Sequence, residues 1–95
     1  METKQNNNFE EKFEKGQFVV INNNDVCRFG EVRNGKLWVE NHLDLKYGNF
    51  YGTPSDTIGE LSPNAEMYSE ITDIRPATEV EINKYYTGMS RKRDV

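Results

Sequence analysis

The sequence predicts a mainly all-β domain closed by one short C-terminal helix. Three observations carry that expectation. Residues 17–41 place apolar and β-branched runs between turn-forming clusters, the pattern of short, half-buried strands. Asn34-Gly35 stands between two such runs, and a type I′ hairpin turn asks for positive φ at both central residues. After Pro76 the period changes from two to about 3.6, with Val80, Ile82, Tyr85 and Tyr86 as the apolar stripe.

Taken in order, residues 1–8 show no periodicity and read as a disordered start to one domain over residues 9–88. Phe9 and Phe13 are four apart and fit a helical turn laying two rings on the core, with Gly16 ending it. Gln17 to Ile21 is the first strand, closed by the turn cluster Asn22 to Asp25. Val26 to Arg33 and Lys36 to Asn41 are the second and third, and His42 to Leu45 can extend the latter. Residues 42–56 mix apolar side chains with Gly48, Gly52 and Pro54, fit no single period, and read as a long loop. Thr57 to Leu61 offers a short strand before the turn Ser62-Pro63-Asn64, and Met67 to Arg75 alternates as another until Pro76 stops it. Thr78 followed by Glu81 is a capping box. The helix then covers 78–87 with Gly88 as its C-terminal cap, and residues 89–95 form a flexible basic tail.

Length and charge bound the function. Ninety-five residues make one core. Twelve Lys and Arg against sixteen Asp and Glu leave a net charge of −4, unlike the strongly basic footprint of a general nucleic-acid binder. No apolar run approaches the roughly 20 residues of a membrane span, and the polar start lacks the apolar centre of a signal peptide. The expectation is a soluble, cytoplasmic protein with no membrane partner. One cysteine and one histidine leave no disulfide framework and no Cys/His zinc site. No phosphate loop or paired-acid motif is present either, so neither metal nor cofactor is expected, and the protein reads as non-catalytic.

Gly16-Gln17-Phe18-Val19-Val20, then Gly30-Glu31-Val32, then Gly35-Lys36-Leu37-Trp38-Val39 resembles the rhythm of SH3-like, KOW-like small barrels, where glycines sit at sharp strand bends and alternating valines fill the interior. The resemblance implies a five-stranded SH3-like barrel with a short C-terminal helix. Ile74-Arg75-Pro76-Ala77-Thr78-Glu79-Val80-Glu81-Ile82 is similar to the ending of small proteins encoded by phages and mobile elements of gut-type bacteria. That likeness implies an accessory or counter-defence inhibitor in a bacterial host, bound to a host or phage protein.

The candidate sites follow from this frame. Alternation sends Leu37 and Val39 inward and Trp38 outward with Lys36 and Glu40. Trp38 is then either a binding anchor or covered by the N-terminal phenylalanines or the last helix. Tyr47, Phe50 and Tyr51 crowd a glycine-flanked stretch and either present rings to a partner beside Trp38 or pack as a satellite core. Cys27, His42 and Asp44 could be read as a nucleophile, base and orienter, but a strand cysteine is more commonly a small buried hydrophobe. A nucleic-acid alternative would use Arg28, Arg33 and Lys46 together with Arg91, Lys92 and Arg93. A third reading takes the acidic body as a nucleic-acid mimic that blocks a host nuclease.

Overall fold

The computed structural model describes residues 12–55, 61–62 and 65–93. The expected disorder of residues 1–8, Phe9, the strand over 57–60 and the Pro63-Asn64 turn lie outside the described residues. Among those described, the order is β1 (Phe18–Ile21), β2 (Asp25–Arg28), β3 (Glu31–Arg33), β4 (Lys36–Val39), β5 (Asn41–Asp44), β6 (Phe50–Gly52), β7 (Glu66–Tyr68), β8 (Ile74–Pro76) and the helix α1 (Glu79–Arg93).

Asn34 (φ 54°) and Gly35 (φ 76°) both take the left-handed backbone that a type I′ turn demands. From that turn an antiparallel ribbon runs outward. Arg33 faces Lys36, Val32 faces Leu37 and Glu31 faces Trp38. The same register, continued, brings Val26 opposite Leu43 and Asp25 opposite Asp44. Between these stretches the ribbon bends, at Phe29-Gly30 on one side and at Glu40 on the other. Its base therefore lies in a five-stranded sheet ordered β6-β5-β2-β1-β8, and its tip in a three-stranded sheet ordered β3-β4-β7.

The bend brings backbones closer than any side chain allows. A Cβ on Gly30 would lie 2.0 Å from the Trp38 carbonyl oxygen, and one on Gly52 would lie 2.5 Å from the Glu40 carbonyl oxygen and 2.7 Å from Asn41 Cα. The two sheets meet over Phe13, Val19, Ile21, Cys27, Leu37 and Val39. On the far face of the larger sheet, Val20, Val26, Leu43 and Phe50 are covered by Tyr85 and Met89 of α1. Alternation along β1 feeds both cores, and each fully buried Val, Leu or Ile stabilises by about 1.5–3 kcal/mol.

The arrangement corrects several expectations. The strands form two sheets rather than one closed five-stranded barrel, because the edges β6 and β8 of one sheet pair with neither β3 nor β7 of the other. The expected second and third strands each divide between the sheets at the bend. Where a long loop is expected after residue 41, the chain forms the β5–β6 hairpin, with Asn41 facing Gly52 and Leu43 facing Phe50. The Asp44 carboxylate accepts the backbone N–H groups of Lys46 (3.3 Å) and Tyr47 (3.2 Å), and the Gly48 N–H donates to the Asp44 carbonyl at 2.7 Å. Two short strands around a polar turn leave no single period. The run Met67 to Arg75 is likewise two strands in different sheets. The segment between them is held by Asn22, whose Oδ1 accepts the Thr72 N–H at 2.7 Å and whose Nδ2 donates to the Glu70 carbonyl at 3.1 Å.

The capping box forms as expected: the Glu81 N–H donates to Thr78 Oγ1 at 3.2 Å and the Thr78 N–H to Glu81 Oε1 at 2.8 Å. Arg75 adds two bonds to the same carboxylate, at 2.9 and 2.8 Å, and chiefly through them holds Glu81 down to about 2. The helix does not stop at Gly88. That glycine is buried on the sheet-facing side, where a Cβ would lie 2.6 Å from Leu43 Cδ1, so it marks close helix–sheet packing, not a cap. Residues 89–93 are accordingly helical and not a flexible tail, and Arg91, Lys92 and Arg93 complement the negative end of the helix dipole.

Gly48 (φ 76°) and Gly52 (φ 97°) separate backbone strain from crowding, since nothing lies within 4 Å of a Cβ at Gly48. Gly48→Ala should cost about 1 kcal/mol of unfolding free energy, and Gly52→Ala about 2 kcal/mol or more. Equal urea midpoints for the two variants would refute the crowding at Gly52.

Candidate functional site

The sequence-predicted side chains do not gather in one place. On β4 the alternation holds: Leu37 and Val39 are fully buried and Trp38 is half-buried. Trp38 lies on the outer face of the three-stranded sheet, opposite Glu31 on one side and Met67 on the other. The Arg33 guanidinium sits 5.9 Å from its ring and is ion-paired with Glu31. Phe13 packs on Phe29 inside the core and α1 covers the other sheet, so among the described residues neither covers Trp38. Met67 is 45% exposed beside it. Lys36 is exposed on the same strand, and Glu40 at the bend accepts the N–H and hydroxyl of Ser62 at 2.8 and 2.7 Å.

The aromatic stretch splits three ways. Phe50 is a core residue under α1, which removes it from the expected binding surface. Tyr51 points to the opposite face of the sheet and stacks on His42, ring centroids 5.1 Å apart. Tyr47, 71% exposed in the β5–β6 turn, lies beside α1. The pleat explains the split, because neighbouring residues of an edge strand face opposite sides.

Between the sheets the ribbon places a polar cluster that no local pattern announced. His42 Nδ1 lies 2.7 Å from Glu66 Oε1, Tyr68 sits edge-on to the His42 ring, and the Tyr68 hydroxyl donates to Asp25 Oδ2 at 3.0 Å. His42 and Glu66 are 24 positions apart and meet only because β7 pairs with β4 beyond the bend. Burial pulls the His42 pKa down, but the Glu66 bond and the charges of Glu66, Asp25 and Asp44 outweigh it and leave the ring above its ordinary value. Cys27 is fully buried, and burial first, then Asp25 and Glu66, push its thiol well up. Asp44 is held by Asn24 and the turn amides, which keep its carboxyl below the usual range. His42 is thus bonded to Glu66 and Asp44 to Asn24 and the turn amides, and the Cys27 thiol, buried beside acidic groups, lacks the electropositive surroundings that make a nucleophile.

The basic residues are also dispersed. Arg28 stacks over Phe18 and Arg33 over Trp38. Lys92 and Arg93 reach the carbonyls of Phe50 and Pro54, each at 3.4 Å. Lys46 and Arg91 of that set line one cleft beside α1. No group of His, Cys, Asp and Glu among the described residues is arranged to hold a metal ion, and no described helix is long and apolar enough to cross a membrane. The chain matches no family model, no curated protein and no solved structure.

The His42–Glu66 pair has a signed pH dependence. Because the folded pKa lies above the ordinary 6.5, the pair's contribution to stability is fully present below that value and is lost as pH rises through the folded pKa. In Glu66→Gln the bond to the carboxylate and its charge are lost while burial, Asp25 and Asp44 remain, so the His42 pKa should fall below the parent's. An NMR titration of the His42 ring proton reads this directly. A parent pKa at or under the ordinary value would contradict the assignment.

Proposed function

We propose that the protein is a non-catalytic protein-binding module that docks through the outer face of its three-stranded sheet. The observation that carries this reading is Trp38, paired with the exposed Met67, on the face of the three-stranded sheet turned away from the buried Leu37 and Val39. Tryptophan is over-represented among residues that dominate binding energy, and such anchors work inside a polar rim that excludes water. Lys36, Arg33, Glu31 and Glu40 supply that rim. The Arg33 contact favours a ring held in place before binding, which lowers the ordering cost of association. The phage-type likeness of residues 74–82 extends the reading to an inhibitor whose partner is a host or phage protein.

Tagged protein incubated in lysate of a bacterial host, with nuclease present, should retain one protein, and Trp38→Ala or Met67→Ala should release it. Losing the ring should cost about 2 kcal/mol or more of binding and no more than about 1 kcal/mol of stability, the usual scale of a cross-strand pair. Capture that depends on intact nucleic acid, or a Trp38→Ala variant whose binding falls only in step with its melting temperature, would overturn the proposal.

A further inference from the structure

A cleft of about 460 Å³ opens between α1 and the β5–β6 turn. Leu43, Leu45 and Gly88 make an apolar floor, and Tyr47 and the 62% exposed Val80 form its lips. Lys46, Lys84 and Arg91 line it, and none of its lining residues is acidic. In a chain of net charge −4, a cation-lined cleft with an apolar floor is a local reversal of sign that draws an anion with an apolar part. Ion pairs between described residues join Arg33 to Glu31, His42 to Glu66 and Arg75 to Glu81, and none of these three involves Lys84 or Arg91.

The shape narrows the ligand. Val80, Lys84, Gly88 and Arg91 recur at helical spacing and so share one face of α1. At 1.5 Å per residue that face is about 16 Å long, with Lys84 and Arg91 about 10 Å apart along the axis. An extended peptide rising about 3.3 Å per residue covers it with about five residues. A compact anion such as free phosphate would meet one cation and leave the apolar floor empty.

We propose that this cleft binds a short, extended, acidic segment of a protein partner, with an apolar side chain seated over Leu43, Leu45 and Gly88 and flanking carboxylates met by Lys46, Lys84 and Arg91. The site lies across the five-stranded sheet from the Trp38 face and does not depend on it. Surface ion pairs are individually weak and screened by salt. The apolar contact therefore supplies most of the affinity and the cations select the sign of the ligand.

The probe is a capped peptide of one phenylalanine flanked on each side by two glutamates, titrated into the full chain at low salt while backbone amide shifts are followed by NMR. Shifts should map to residues 43–48 and 80–91. Affinity should fall at least tenfold when the phenylalanine is replaced by alanine, and again when the glutamates are replaced by lysines. The double variant Lys84→Glu with Arg91→Glu should weaken binding at least tenfold. Val80→Asp, a second and independent change at an exposed position, should do the same, whereas Trp38→Ala should bind the peptide like the parent. The proposal is overturned by absent shifts, by shifts mapping elsewhere, or by equal binding of the alanine or lysine peptide. Undiminished affinity in correctly folded variants, or tighter binding of a single-stranded oligonucleotide at the same amides, would also overturn it.

Discussion

One bent antiparallel ribbon sets the position of everything else in this protein. Its register starts at Asn34-Gly35 and continues unchanged from Arg33–Lys36 to Asp25–Asp44, yet it serves two sheets because it folds over at Phe29-Gly30 and Glu40. Two glycines permit this, since Gly30 and Gly52 bring backbone against backbone at Trp38, Glu40 and Asn41. The bend turns the inward face of the ribbon's tip toward one core and leaves Trp38 outside. It turns the base toward a second core that α1 closes.

Polar side chains then lock the peripheral elements to this ribbon. Asn22 holds the segment between β7 and β8, and the neighbouring Asn24 accepts the Lys46 N–H and bonds the Asp44 carboxylate of the β5–β6 turn. The helix is tied at its start by Arg75 on Glu81 and in its middle by the Tyr85 hydroxyl, which donates to the buried Asn41 Oδ1 next to the bend. Burial pushes the Tyr85 phenol up, so it remains a donor. No buried side-chain nitrogen or oxygen among the described residues lacks a partner, as low-dielectric interiors require. Both proposed binding surfaces inherit their geometry from these ties: the Trp38 face from the ribbon's tip, the cleft from the α1–Leu43 contact.

What was legible in the sequence was local chemistry. Asn34-Gly35 and the Thr78–Glu81 box each satisfy backbone needs within four residues, and both read correctly. The bend was hidden because the alternation from Leu37 to Leu43 runs unbroken while its buried side passes from one core to the other. Gly88 misled for a related reason: a glycine that admits a neighbouring sheet looks in sequence like one that ends a helix. A helix ended at Gly88 leaves out Arg91, whereas the continuous helix sets Val80, Lys84, Gly88 and Arg91 on one face. Tyr47, Phe50 and Tyr51 looked like one cluster because sequence proximity does not show which side of an edge strand each ring takes. His42 and Glu66 had no local signal at all.

The bend depends most directly on Gly30, whose φ is not in the left-handed region and whose replacement therefore probes space alone. The decisive measurement is the equilibrium urea unfolding of Gly30→Ala against the parent. A Cβ placed 2.0 Å from the Trp38 carbonyl oxygen should lower the unfolding free energy by about 2 kcal/mol or more, as overpacking against rigid backbone does. A variant with the parent's midpoint and slope would show that the ribbon does not fold over at this point, and the placement of both surfaces would fall with it.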